Sequence, residues 1–151
     1  MKRGLIILCC LFLAGLAGKA QTKTWQISET GWGRVEKSYR QSNWAGPPLG
    51  EMNIPRWRQV SGTLTIDFDK KEVVLSLDRK KGKTYVLLAQ RDPAVTRDGW
   101  TYDRYMAMDG TSTVCHFWLG THESGREQLL TLYSWTLPDT IYGYRLIPDE
   151  P

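Results

Sequence analysis

The chain has 151 residues, with 20 Lys plus Arg against 16 Asp plus Glu, two histidines, three cysteines and seven tryptophans. That length suits a single domain around one core. Cys9 and Cys10 lie in the first twenty residues, which excludes a disulfide-stapled scaffold, and two histidines leave little material for metal or acid/base chemistry.

Met1, Lys2 and Arg3 precede an apolar run from Leu5 to Leu13 that passes through small residues to Ala17, and Gly18 and Ala20 supply small residues around Lys19. Basic, then apolar, then small is the layout of a signal peptide, with cleavage expected after Ala20. The run is shorter than the ~20 apolar residues needed to cross a bilayer. Residues 1–20 are therefore expected to direct export, periplasmic or extracellular, leaving residues 21–151 as one β domain with no transmembrane segment. Loss of Lys2, Arg3 and Lys19 leaves 17 basic against 16 acidic residues, and Cys115 becomes the only cysteine. The remaining dense basic cluster, Arg79, Lys80, Lys81 and Lys83, falls on a turn and reads as a solvated hairpin tip, so no nucleic-acid partner is implied.

Trp25 to Ile27 reads as an opening strand. Residues 32–40 fit two periods: Trp32, Val35 and Tyr39 recur at helical spacing, whereas Val35, Lys37 and Tyr39 alternate as in a strand. Gln41 to Pro55 contains Asn43, Gly46, Pro47, Pro48, Gly50 and Asn53, a composition that neither holds a helix nor joins a sheet interior. Residues 41–58 are thus expected to form a long loop containing Trp44 and Trp57.

From Val60 onward the chain alternates with period two between turn signals, the pattern of consecutive antiparallel strands. The expected strands run through Leu64 to Phe68, Val73 to Leu77, Thr84 to Gln90, Trp100 to Met108, Thr111 to Leu119, Gln128 to Trp135 and Ile141 to Ile147. Gly82 is available for a positive φ in the turn before Thr84, and Asp92, Pro93, Asp98 and Gly99 mark a looser loop. Connections this short leave no room for helical crossovers. The fold class is all-β: an antiparallel meander of about seven short strands closing as an up-and-down barrel or a two-sheet sandwich, with an irregular N-terminal third.

Asp109 and Gly110 form the strongest turn signal, expected as the two central residues of a type I′ hairpin. That geometry pairs Tyr105 with Val114, Arg104 with Cys115, Asp103 with His116 and Tyr102 with Phe117. Asp103, Tyr105, His116 and Trp118 would then share one amphipathic face, with a carboxylate opposite an imidazole. Cys115 has apolar strand neighbours and is expected to be a buried, unreactive thiol.

Catalytic signatures fail. Gly82, Lys83 and Thr84 lack the upstream glycine and the following helix of a phosphate-binding loop. There is no nucleophile elbow and no zinc-type cysteine pair. His116 in a strand and His122 beyond it are too far apart to share a metal. Length, leader and meander are similar to those of lipocalin-type barrels in architecture alone, because the Gly-x-Trp element of that family is not in this chain. The expected function is a non-enzymatic binding domain without metal or cofactor, its site formed by the β structure and the Trp44 to Trp57 loop. Candidate ligand-binding residues are Trp44, Trp57, Asp103, Tyr105, His116 and Trp118, with large aromatic faces as the main argument. Partners would be a small molecule, a glycan or an extracellular protein. The alternative is a surface module recognising a protein or glycan through exposed aromatics, and a third option is a hydrolase using Asp103, His116 or the Glu123 region.

Overall fold

A computed structural model describes residues 21–34, 54–95, 99–134, 136–137 and 139–148. Residues 1–20, on which the expected export signal falls, residues 35–40 and Trp44 lie outside the described residues. Eight strands follow one another in the described chain: β1 (Thr22–Arg34), β2 (Trp57–Asp67), β3 (Glu72–Leu77), β4 (Lys83–Val95), β5 (Trp100–Met108), β6 (Val114–His122), β7 (Gln128–Ser134) and β8 (Thr140–Ile147). Each pairs antiparallel with the next, and β8 returns to β1, so the sheet closes into a barrel. Closure decides between barrel and sandwich and removes both exposed sheet edges.

The opening strand is much longer than Trp25 to Ile27, running to Arg34 and so taking in Trp32 as strand. The expected loop over residues 41–58 ends early, because Trp57 and Arg58 already pair with Gly31 and Thr30. Asp92 and Pro93 belong to β4 rather than to a loop, at one of two register shifts against β5. A bulge tolerates the proline because the ladder is locally interrupted there. Arg104 Nε donates to the Asp92 carbonyl at 2.7 Å.

Alternation places Leu64, Ile66, Val73, Leu75, Tyr85 and Leu87 of β2–β4 inside the ring, where they meet Tyr105, Phe117, Leu130, Leu132 and Tyr144 from the other strands. An eight-stranded ring is just wide enough for side chains to fill. Tyr85 and Phe117 meet edge to face with centroids 4.9 Å apart. On the outer side, β1–β3 present Thr24, Gln26, Thr63, Thr65, Glu72 and Ser76, given the inward register of Trp25, Leu64 and Leu75. The outer side of β5–β8 differs: Tyr102, His116, Trp118, Thr131, Tyr133 and Ile141 point away from the core yet are all buried. Ile54 and Trp57 lie over Gly31 and Gly143 on this side, so closely that a Cβ on either glycine would collide with Ile54, and one on Gly143 with Trp57 as well.

Two turns differ from the expected chemistry. Gly82 has no positive φ; Asp78 (φ 50°) and Arg79 (φ 57°) do, bridged by a Lys80 N–H bond to the Leu77 carbonyl of 3.0 Å. These are the features of a type I′ turn. Gly82 instead lets the chain pass close to Ser76 and Val74.

The β5–β6 connection is a three-residue loop, Gly110 to Ser112, in which Asp109 N–H bonds Thr113 O and Ser112 N–H bonds Asp109 O, both at 3.0 Å. Ser112 carries the positive φ, 63°, which makes the loop a type I turn followed by a left-handed residue. Asp109 Oδ1 accepts from the Thr111 amide, the Thr111 hydroxyl and the Thr113 amide at 2.7 to 3.0 Å. A carboxylate that satisfies its own loop displaces the two-residue alternative.

Ser112→Gly is expected to raise stability by up to ~1 kcal/mol, because glycine removes the left-handed penalty. Gly110→Val should cost little, since nothing lies near its Cβ direction. Thermal melts of the two variants check both; a large loss for Gly110→Val with no gain for Ser112→Gly would restore the two-residue turn.

Candidate functional site

The hairpin register determines which candidate residues can meet. Met108 pairs with Val114, Met106 with His116, Tyr105 with Phe117 and Asp103 with Leu119, three residues away from the expected register. A shift by an odd number moves one strand's side chains to the other face. The expected Asp103–His116 pair does not form. Asp103 faces inward with Tyr105, whose hydroxyl is pushed up to about 12 by burial and, to a smaller extent, by the Asp103 charge.

His116 and Trp118 face outward. Their rings lie 6.3 Å apart, and Tyr133 lies 6.4 Å from His116. Burial, and then the charge of Arg91, hold His116 below the ordinary histidine value. Trp57 is also outward, at the start of β2, with the Arg145 guanidinium 4.4 Å from its ring centre. The six candidates thus separate into an interior pair, Asp103 and Tyr105, an exterior pair, His116 and Trp118, Trp57 apart from both, and Trp44 outside the described residues. His122 ends β6, its Nδ1 2.9 Å from Ser124 Oγ. Among the described residues no three His, Cys, Asp or Glu side chains gather as a metal site.

Two cavities are prominent among the described residues. One, of about 550 Å³, is an outer groove bordered by Trp57, Trp100, Arg126, Glu127, Gln128 and Arg145. Gln128 Oε1 in its lining is buried without a hydrogen-bond partner. The other, of about 370 Å³, opens at the barrel end where the β3–β4, β5–β6 and β7–β8 connections meet. Its wall comes from inward positions of five strands: Leu75 and Leu77 of β3, Tyr85 of β4, Cys115 of β6, Leu132 of β7, and Tyr142 and Tyr144 of β8. Lys80, Lys81 and Lys83 stand at its rim with Asp109, Ser134 and Thr136. The chain matches no protein-family model, curated protein or solved structure.

The mouth combines an apolar depth with a charged edge. Burial raises the Tyr85 hydroxyl above its ordinary value, and burial followed by Tyr142 does the same for Tyr144. Burial also raises the Cys115 thiol, and Cys115 is only 2% exposed, as expected of a structural thiol. Neutral hydroxyls and a neutral thiol on an apolar wall suit apolar or amphipathic matter better than proton transfer. Lys83 Nζ lies 5.0 Å from the Tyr85 ring centre and 3.8 Å from Asp109 Oδ2.

Sequence reasoning missed this site because it treated the lysines as a solvated tip and Cys115 as plain core. The available signal was the alternation of β4, in which Lys83, Tyr85 and Leu87 share a face, so that an inward apolar row ends in an ammonium group.

His116 makes stability pH-dependent in a direction that follows from its lowered value. The unfolded chain takes up the proton first, so the contribution of neutral His116 is complete above the ordinary value of 6.5 and is lost as pH falls toward the folded value. The melting temperature is expected to fall between pH 7 and 5, and to fall less in His116→Phe. Equal slopes for parent and variant would contradict the burial argument.

Proposed function

We propose that the protein is an exported, non-enzymatic binding domain that holds a small apolar or amphipathic molecule in the barrel mouth. The leader over residues 1–20 supports export. The observation that carries the binding reading is the mouth cavity, where leucine side chains and tyrosine rings from four strands, with Cys115 from a fifth, converge below a polar rim. Pockets of this size, mainly apolar with a few placed polar groups, are the usual form of small-molecule sites. The walls belong to a closed sheet, so the site is preformed and binding orders few groups.

A second reading is supported by the outer groove. Trp57 and Trp100 give it aromatic borders, and the unpaired Gln128 Oε1 calls for a donor such as a sugar hydroxyl. The Arg145 guanidinium already lies over the Trp57 ring, however, and Trp100 stacks on Tyr102 with centroids 5.9 Å apart. The mouth is therefore the principal site.

Titration with the neutral fluorophore N-phenyl-1-naphthylamine is expected to give saturable enhancement at one site per chain. Ser134→Trp places an indole across the rim from an inward, half-buried position and is expected to weaken that binding tenfold or more while the melting temperature stays close to the parent's. Unchanged binding in Ser134→Trp would put the site elsewhere, and no saturable binding by the parent would remove the mouth as a site.

A further inference from the structure

The reading of the mouth as a binding site leaves the ligand's charge open, and the rim addresses it. Three lysines border the cavity against one carboxylate, Asp109, among the described lining residues. That carboxylate is already engaged: Oδ1 accepts three hydrogen bonds from Thr111 and Thr113, and Oδ2 faces Lys83. Lys80 also lies in the field of Asp78, but Arg58 Nη1 holds the Asp78 carboxylate at 2.9 Å. Asp109 and Asp78 are thus already engaged, and among the described lining residues Lys80 and Lys81 leave the rim with an excess of positive charge.

A hairpin tip rich in lysine is ordinarily just solvated, and it carries no information alone. Here the tip is not alone. Lys83 occupies an inward position, opposite Leu75 in the β3–β4 register, and its ammonium lies over the Tyr85 ring at the cavity wall. The chain immediately before it, Lys80 and Lys81, borders the same cavity. Apolar wall and ammonium groups therefore adjoin within one pocket, which is the arrangement that matches a molecule with an apolar body and an anionic end.

Resting on the mouth as binding site, we infer that its ligand is an amphipathic carboxylate whose apolar part fills the barrel mouth while its carboxylate meets Lys80 and Lys81. The cavity of about 370 Å³ has room for about a dozen water-sized groups at ~30 Å³ each, which limits the buried part to a medium-length chain or a small fused ring. An amine-terminated analogue would bring like charge to the rim. A neutral alcohol would bury the same apolar area and gain nothing from the lysines, so the difference between acid and alcohol isolates the proposed contact.

The test is displacement of N-phenyl-1-naphthylamine at pH 7.4 by two matched pairs, decanoate with 1-decanol and 2-naphthoate with 2-naphthol, which separate a chain-like from a ring-like source of the acid. In at least one pair the acid is expected to compete tenfold or more better than its alcohol. Added salt should shrink that advantage. The exposed double variant Lys80→Gln/Lys81→Gln should abolish most of it while leaving the alcohol's affinity and the melting temperature unchanged. An alcohol that competes as well as its acid in both pairs, or an advantage that survives in the double variant, would overturn the inference and leave the mouth as a neutral site. Failure of the fluorophore and of all four competitors to bind would instead overturn the mouth reading on which the inference rests.

Discussion

The return of β8 to β1 is the constraint on which the rest of the molecule depends. Without that seam the meander would end in two open edges, and the inward faces of β2–β4 would have no opposite wall. The seam is marked by a register shift between Ile27 and Glu29, present against both β2 and β8. A bulge bends and twists the strand that carries it, as a closing sheet requires. At that point Glu29 joins three strands: Oε1 accepts from Gln59 Nε2 of β2 at 2.7 Å, and Oε2 pairs with Arg145 of β8. Arg145 also lies over Trp57. The exposed ion pair adds little energy by itself; the ladder and the buried interior hold the ring, and Glu29 marks its register.

Much of this was legible in the sequence. Trp100 to Met108 and Ile141 to Ile147 alternate cleanly and are strands at or within a residue of the expected bounds. What failed was chemistry that depends on partners. Pro93 reads as a loop signal, yet a bulge absorbs it within β4. Asp109 and Gly110 read as a two-residue turn, but the Asp109 carboxylate folds a longer loop around itself. Three residues of slip then sent Asp103 and His116 to opposite sides of the sheet, and with them the candidate site built on their pairing. A register error in a period-two structure always does this, because a side chain has only two faces to choose from.

The same closure creates the mouth proposed as the binding site, which was not assembled from the sequence. Tyr85, Cys115 and Tyr144 are distant in the chain, and only the ring brings them to one wall. Their burial, which holds the hydroxyls and the thiol neutral, also argues against nucleophilic or acid/base work there. The functional reading is therefore one of containment: a rigid, largely filled barrel that leaves space at one end, under lysines fixed by the β3–β4 turn. The outer side of β5–β8 is as aromatic as the mouth, but Tyr102, Trp118 and Tyr133 there are already buried.

Amide and indole shifts during a titration with decanoate distinguish the proposed entry of the ligand into the mouth from binding in the outer groove. Saturable changes are expected at the backbone amides of Lys83, Tyr85, Cys115 and Ser134 while the indole N–H signals of Trp57 and Trp100 stay in place. Shifts of those two indoles with still mouth amides would contradict entry into the mouth and move the site to the groove.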